Sequence, residues 1–321
     1  MNRSPRDRTW LVALAAAAWG LDGLLRQPLA TALDPATVVL WEHLIAVVAV
    51  LWFVPGAIRV YLRCSLRDQV AVAVIGIGSS ALATALFTEA FAVSAQTGDF
   101  VTPLVLQKLQ PLFAVALAVF LLRERLRAGF AFYALPALIG AWLLAFAEPF
   151  LVQVSALKVA LLAVGAAVLW AAGTVLGRMV SAAVGPRDLT VLRYSWGLPA
   201  AAVITWQTHA AFTPGWHNVW GLVLLALIPG LAALSLYYVG LRATAASRAT
   251  FAELAFPGTA AIVGVLFLNS HLSTTQWLGF AIVVVSVTGL GWHERTRQPA
   301  VAEQRTGDDA LALTPRSAKT V

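Results

Sequence analysis

The sequence predicts an all-α membrane protein of ten transmembrane helices, arranged as two inverted five-helix repeats. Three observations lead there. The 321 residues are 60% hydrophobic and only 12% charged, with a mean hydropathy of +0.80, whereas soluble domains carry about 25% charged residues. A soluble fold of this length has no interior large enough for so much apolar surface. The basic residues collect on alternate sides of successive apolar runs, and the two halves of the chain share an ordered set of residues.

A spanning helix needs about 20 apolar residues. Such runs fall near 9–30, 35–54, 70–93, 99–122, 128–148, 157–180, 188–208, 217–240, 248–269 and 275–293. Asp34-Pro35, Pro55-Gly56, Glu148-Pro149, Gly185-Pro186 and Pro214-Gly215 supply turn chemistry between them. The first run imitates a signal peptide, but Asp22 and Arg26 interrupt it and no small-residue cleavage motif follows, so it is read as an uncleaved helix.

Orientation follows from charge, independently of hydropathy. With the N-terminus in the cytoplasm, the cytoplasmic segments hold Arg3, Arg6, Arg8, Arg59, Arg63, Arg67, Arg123, Arg125, Arg127, Arg178, Arg187, Arg242, Arg248, Arg295, Arg297, Arg305, Arg316 and Lys319. External segments hold Lys158 alone, while Arg26, Lys108 and Arg193 lie within spans. Both termini are then cytoplasmic. The expected organisation is a cytoplasmic N-terminus over 1–8, repeats over 9–150 and 151–293, and a polar tail over 294–321 that is expected to be disordered.

The net charge of +7 does not indicate a nucleic-acid partner, because the basic residues sit in short loops and tails. The one cysteine, Cys64, excludes an intrachain disulfide and is read as a reduced thiol in a cytoplasmic loop. The five histidines are scattered, so no metal site is expected. No His-Glu-x-x-His, Gly-x-Ser-x-Gly or P-loop motif occurs, which argues against an enzyme, an ATPase or any cofactor.

The internal repeat rests on Trp19 and Trp170, Leu25 and Leu176, and Pro35 and Pro186, each pair 151 residues apart. Phe91 and Tyr237, and Pro111 and Pro257, are 146 apart. A second copy of an odd-numbered helical unit must enter the bilayer from the opposite side. That inversion suits alternating access.

Several stretches resemble the drug/metabolite transporter superfamily, specifically its EamA-type ten-helix transporters. They are Ala18-Trp19-Gly20, Trp41-Glu42-His43, Gln107-Lys108-Leu109-Gln110-Pro111, Leu122-Arg123-Glu124-Arg125-Leu126, Tyr237-Tyr238-x-Gly240-Leu241 and Glu253-Leu254-x-Phe256-Pro257. The resemblance spans about residues 9–293 and implies the 5+5 fold and metabolite transport, without fixing a substrate. It implies an Arg on the second helix of each half; Arg193 matches, but Glu42 stands at the first-half position.

Charges inside spans cost roughly 2.5–3.5 kcal/mol each on insertion scales, so they face cavities or one another. Asp22, Glu42, His43, Gln107, Lys108 and Gln110 are expected to line a central cavity for substrate or coupling ion, with Trp19 and Trp170 as walls. Arg26 and Glu89 are expected as outer-cavity charges, and Arg193 and Glu253 as an inner gate pair. Structural readings stand beside these. Asp22 and Arg26, at i,i+4, can form a plain intrahelical ion pair, His43 can serve a structural hydrogen bond, and the tryptophans can be packing. Of the other tryptophans, Trp10, Trp216, Trp220, Trp277 and Trp292 read as interfacial anchors, and Gly76, Gly78, Ser79, Ser80, Gly173 and Gly177 as close-packing positions.

The functional expectation is a secondary active transporter in the cell inner membrane. It would export a small polar or zwitterionic, amino-acid-like metabolite, with the central acids able to carry a coupling proton. The expected partners are the substrate, the lipid bilayer and protons, with the chain a monomer or homodimer. A passive facilitator or channel is the alternative.

Overall fold

The computed structural model describes residues 8–97, 106–107, 109–123, 128–145, 157–245, 248–249, 252–253, 255–256, 258–259, 262, 273–282, 284–286 and 289. Lys108, the Glu148-Pro149 turn, Pro257, Trp292 and the tail lie outside these residues. The spans expected at 99–122, 248–269 and 275–293 fall partly outside them.

The described residues form helices and connecting turns only. In the first half these are α1 (Thr9–Trp19), α2 (Asp22–Ala32), α3 (Pro35–Ala49), a short turn of 3₁₀ helix (Leu51–Phe53), α4 (Val54–Arg63), α5 (Leu66–Val74), a wide-turn π segment (Ile75–Leu82), α6 (Ala83–Thr97), α7 (Gln110–Leu122) and α8 (Ala128–Ala145). The second half contributes α9 (Leu157–Val180), α10 (Pro186–Gln207), α11 (Trp216–Leu225), a second π segment (Ala226–Ala232) and α12 (Ala233–Leu241).

Three helical stretches are long and apolar enough to cross a membrane: Leu66–Val93, Leu157–Val180 and Trp216–Leu241. Pro35–Ala49 with Leu51–Arg63 makes a fourth if that pair, bent by 64°, counts as one span. Helix α10 is long enough but carries Arg193, Tyr194, Ser195 and Gln207 among its residues, so hydropathy and not length separates it from this group. Large apolar side chains on the outside include Phe120, 81% exposed, and Phe132, 75% exposed. Such surface is unfavourable in water and natural against lipid. Trp10, Trp216, Trp220 and Trp277 are all exposed, as interfacial anchors must be.

Turn chemistry explains most helix starts. Pro35 and Pro186 occupy the first helical turn after Asp34 and Gly185, where the missing N–H costs nothing. Gly215, at φ 72°, makes the left-handed turn before Trp216 that other residues resist. Two boundaries depart from expectation. The first span is interrupted at Gly20–Leu21, so that Asp22 opens a new helix. Pro55-Gly56 does not break the chain; Pro55 sits in the first turn of α4, and the bend falls at Val50, between Ala49 and Leu51.

The halves interlock. Helix α3 packs on α10, α9 on α6 and α7, and α1 on α12. The largest buried cluster accordingly mixes Val12, Ile75, Leu189, Leu192, Leu234 and Leu241. Small residues permit these approaches. A Cβ on Gly76 would lie 2.9 Å from the Arg193 carbonyl oxygen, and one on Gly240 would lie 2.7 Å from Val12. Cys64, between α4 and α5, donates to the Val60 carbonyl at 3.3 Å, and partial burial near Asp68 pushes its thiol up.

The π segments begin 151 residues apart, at Ile75 and Ala226, the offset of the sequence repeat. Pro229 inside the second has no N–H to donate and so breaks the regular ladder there. Wide turns of this kind concentrate at functional sites.

Candidate functional site

One cavity opens between the halves, with about 180 Å³ of space for water centres, room for on the order of ten waters. Both π segments reach it, through Ser79 and Ser80 from the first and Pro229 and Gly230 from the second. Ser79 and Gly230 are themselves 151 residues apart.

Its first-half wall is an ion triad. Arg26 donates from Nε to Asp22 Oδ2 at 2.6 Å and from Nη2 to Asp22 Oδ1 at 2.8 Å. The same Nη2 reaches Glu42 Oε2 at 3.0 Å, and Nη1 reaches Thr88 Oγ1 at 3.3 Å. The i,i+4 spacing sets the first pairing, and packing of α2 beside α3 sets the second. Arg26 and Glu42 are both buried. Next to Glu42, the His43 ring bonds to the Val39 carbonyl at 2.8 Å and Ser80 Oγ at 2.9 Å.

The opposite wall holds Arg193 and Glu253. Arg193 donates from Nη1 to Tyr238 Oη at 3.1 Å and from Nη2 across the interface to the Ser79 carbonyl at 3.0 Å. Among the described residues no carboxylate forms an ion pair with it. Glu253 accepts from Gln110 Nε2 at 2.7 Å on Oε2. On Oε1 it accepts from Tyr237 Oη at 2.8 Å and from Thr174 Oγ1 at 3.3 Å. Tyr237 and Thr174 are also 2.8 Å apart, so the three oxygens share their protons around a triangle.

The crossing is reciprocal. Arg193 on α10 binds the first-half π segment, while Glu42 on α3 lies beside the second, where a Cβ on Gly230 would be 3.7 Å from Glu42 Oε1. These two charges are the repeat-equivalent pair that differed in sign. Aromatic rings complete the enclosure: Trp19 packs on Tyr237 at 5.1 Å between ring centroids, and Trp170 packs edge-on to Phe87 at 5.0 Å.

Buried polar groups are almost always hydrogen-bonded. Three described side-chain atoms are buried without a partner: Ser79 Oγ, Gln107 Oε1 and Arg193 Nε. All three residues line this cavity.

Asp22, Arg26, Glu42, His43, Gln107, Gln110, Trp19, Trp170, Arg193 and Glu253 thus come together. The expected division into an outer cluster and an inner pair does not hold, since Arg193 and Glu253 line the same space as the triad. Nor do those two form a direct ion pair. The guanidinium is taken by a carbonyl and a phenol, and the carboxylate by three neutral donors. Glu89 is not among the lining residues; it pairs with Lys158 at 2.9 Å, both side chains substantially exposed. Sequence reasoning missed Thr174, Tyr194 and Phe87, which carry no signal in a membrane helix. It took Ser79 and Ser80 for packing, and it noted Tyr237 as a repeat position and part of a family-like stretch, not as a lining residue.

An apolar helical bundle whose two sequence-related halves enclose a polar cavity is a multi-pass membrane transport protein. The chain belongs to the EamA-like transporter family, whose model matches it twice, over residues 9–146 and 157–292. It is 30% identical over 287 residues to the riboflavin transporter ImpX of Fusobacterium nucleatum subsp. nucleatum, a match covering 86% of this chain and 95% of that protein. It is 26% identical over 212 residues to the uncharacterized transporter YwfM of Bacillus subtilis, covering 66% of this chain and 71% of the relative. A solved crystal structure superposes with a TM-score of 0.70 at 20% identity, covering 90% of this chain and 98% of its own; that likeness bears on the fold alone.

Proposed function

We propose that the chain is a secondary active transporter that exports a small polar or zwitterionic metabolite by alternating access about this cavity. Two inverted five-helix halves, over 9–150 and 151–293, would rock against each other in a bacterial inner membrane, with both termini cytoplasmic. The observation that carries this reading is the gathering of three unpartnered polar atoms, from Ser79, Gln107 and Arg193, at one cavity between the halves. A cavity with unmet hydrogen bonds is built for something that arrives and leaves. A substrate carboxylate fits Arg193 Nε. An amine or N–H fits Glu253, the lining acid whose described hydrogen-bond partners are all neutral. That role passes to Glu253 because Asp22 and Glu42 are both engaged by Arg26.

Glu253 is also the group we assign to proton coupling. As a carboxylate it only accepts hydrogen bonds; protonated, it must donate one and so rearrange the triangle with Tyr237 and Thr174.

A second reading is favoured by the aromatic walls together with the named substrate of the Fusobacterium relative. A planar heterocycle such as a flavin would stack on Trp19, Trp170 or Phe87 and offer ring carbonyls and an N–H to Arg193 and Glu253. Proteoliposomes separate the readings, given labelled amino acids or riboflavin with and without a pH gradient. Saturable flux and counterflow of one substrate class are expected. Flux that neither saturates nor shows counterflow would establish a channel instead.

A further inference from the structure

Helix α4 takes no part in the cavity. It leaves α3 at 64°, which turns a spanning direction towards the membrane plane. Its residues sort into three stripes. Ala57, fully buried, faces the protein, with Tyr61 one turn on packing 5.9 Å from the Trp196 ring. About 100° around the helix, Ile58 and Leu62 are exposed, the latter by 66%. About 100° further, Arg59 and Arg63 are exposed at i,i+4, with no ion pair to any described residue. Exposed Trp52 and Phe53 follow the bend directly. Two more cations flank the two ends of α4. Arg67 lies past the Cys64-Ser65 turn on α5, with its Nη2 3.0 Å from Met179 Sδ, and Arg187 on α10 stacks 5.1 Å from the Phe53 ring while touching its neighbour Asp188 at 3.2 Å.

We infer that α4 lies in the membrane interface and that its Arg59–Arg63 face binds the headgroup phosphates of anionic phospholipids. The apolar stripe beside the arginines sets their depth: with Ile58 and Leu62 in the acyl boundary, the guanidiniums stand at the level of the phosphates. Tryptophan at that level is the usual anchor, and the bidentate fork of arginine matches a phosphate. A site for free phosphate would have no use for the apolar stripe. The inference depends on the chain's being a membrane protein and is independent of what it transports.

The test uses the full chain in nanodiscs of mixed phosphatidylcholine and phosphatidylglycerol, with co-retained lipid measured after extraction. Wild type is expected to enrich phosphatidylglycerol, and raised salt to diminish that enrichment. The Arg59→Gln/Arg63→Gln variant is expected to lose retention by roughly fivefold per arginine, while Arg59→Lys/Arg63→Lys keeps most of it. Equal retention in wild type and the Gln variant would overturn the inference. So would an absence of phosphatidylglycerol preference in wild type, which needs no variant to fold, or displacement of the lipid by millimolar inorganic phosphate.

Discussion

Replacing Arg26 with methionine is expected to destabilise the folded chain by about 3–5 kcal/mol, the cost of leaving buried charge without its partner. Asp22 and Glu42 would face each other across the vacated position, with side chains 20% and 9% exposed and the Nε, Nη1 and Nη2 bonds gone. The triad should behave as a unit. Asp22→Asn/Arg26→Met/Glu42→Gln, which removes all three charges together, is expected to recover much of the loss, because no uncompensated ion remains. Thermal unfolding in detergent followed by far-ultraviolet circular dichroism checks both. A single variant that melts like wild type would mean that the triad is solvated and not structural.

The second large effect concerns coupling. Glu253→Gln keeps the size of the side chain and a carbonyl oxygen for Tyr237 and Thr174, but it cannot take up or release a proton. A one-unit pH gradient supplies about 1.4 kcal/mol per proton, enough for about tenfold accumulation at one proton per substrate. Wild type is expected to approach that ratio. Glu253→Gln should show none above the level without a gradient, yet still exchange substrate for substrate at raised substrate concentration, since exchange needs no net proton movement and the Gln carbonyl still accepts from the amine, more weakly. Gradient-driven accumulation that persists in this variant would move coupling to another acid.

How much of this was legible in the sequence depends on the length scale of the interaction. The spans at 157–180 and 217–240 emerge from hydropathy within a residue or two of Leu157–Val180 and Trp216–Leu241, because burial in lipid is decided by a local average. Asp22–Arg26 was legible because i,i+4 geometry belongs to the helix itself. Arg26–Glu42 was not, since it needs the rotation of α2 against α3. Gln110–Glu253 was not either, because its partners are 143 residues apart and nothing local chooses between them. The bend before α4 escaped because Val50 and its neighbours Ala49 and Leu51 include no glycine or proline. Pro55 marked the start of the next helix and was read as the end of the last. Depth was the weakest inference. Reading Arg26 and Glu89 as outer charges and Arg193 and Glu253 as an inner pair split the charges into two tiers, whereas Arg193 and Glu253 line the same cavity as Arg26.

The repeat reaches further than composition. It singled out Trp19 with Trp170 and paired Glu42 with Arg193, and all four line the cavity. What it could not convey is that each charge reaches into the other half's π segment. That crossing is a property of the interlocked halves and not of either one.

The most direct test of the central claim is substrate counterflow in proteoliposomes by wild type and Arg193→Met. Losing a charged hydrogen-bond partner at a buried site is worth about 1.5–3 kcal/mol. Counterflow at sub-saturating substrate should therefore fall by roughly ten- to a hundredfold, with Arg193→Lys intermediate and melting temperatures shifted alike in the two variants. Arg193→Met exchanging substrate as well as wild type would contradict the account.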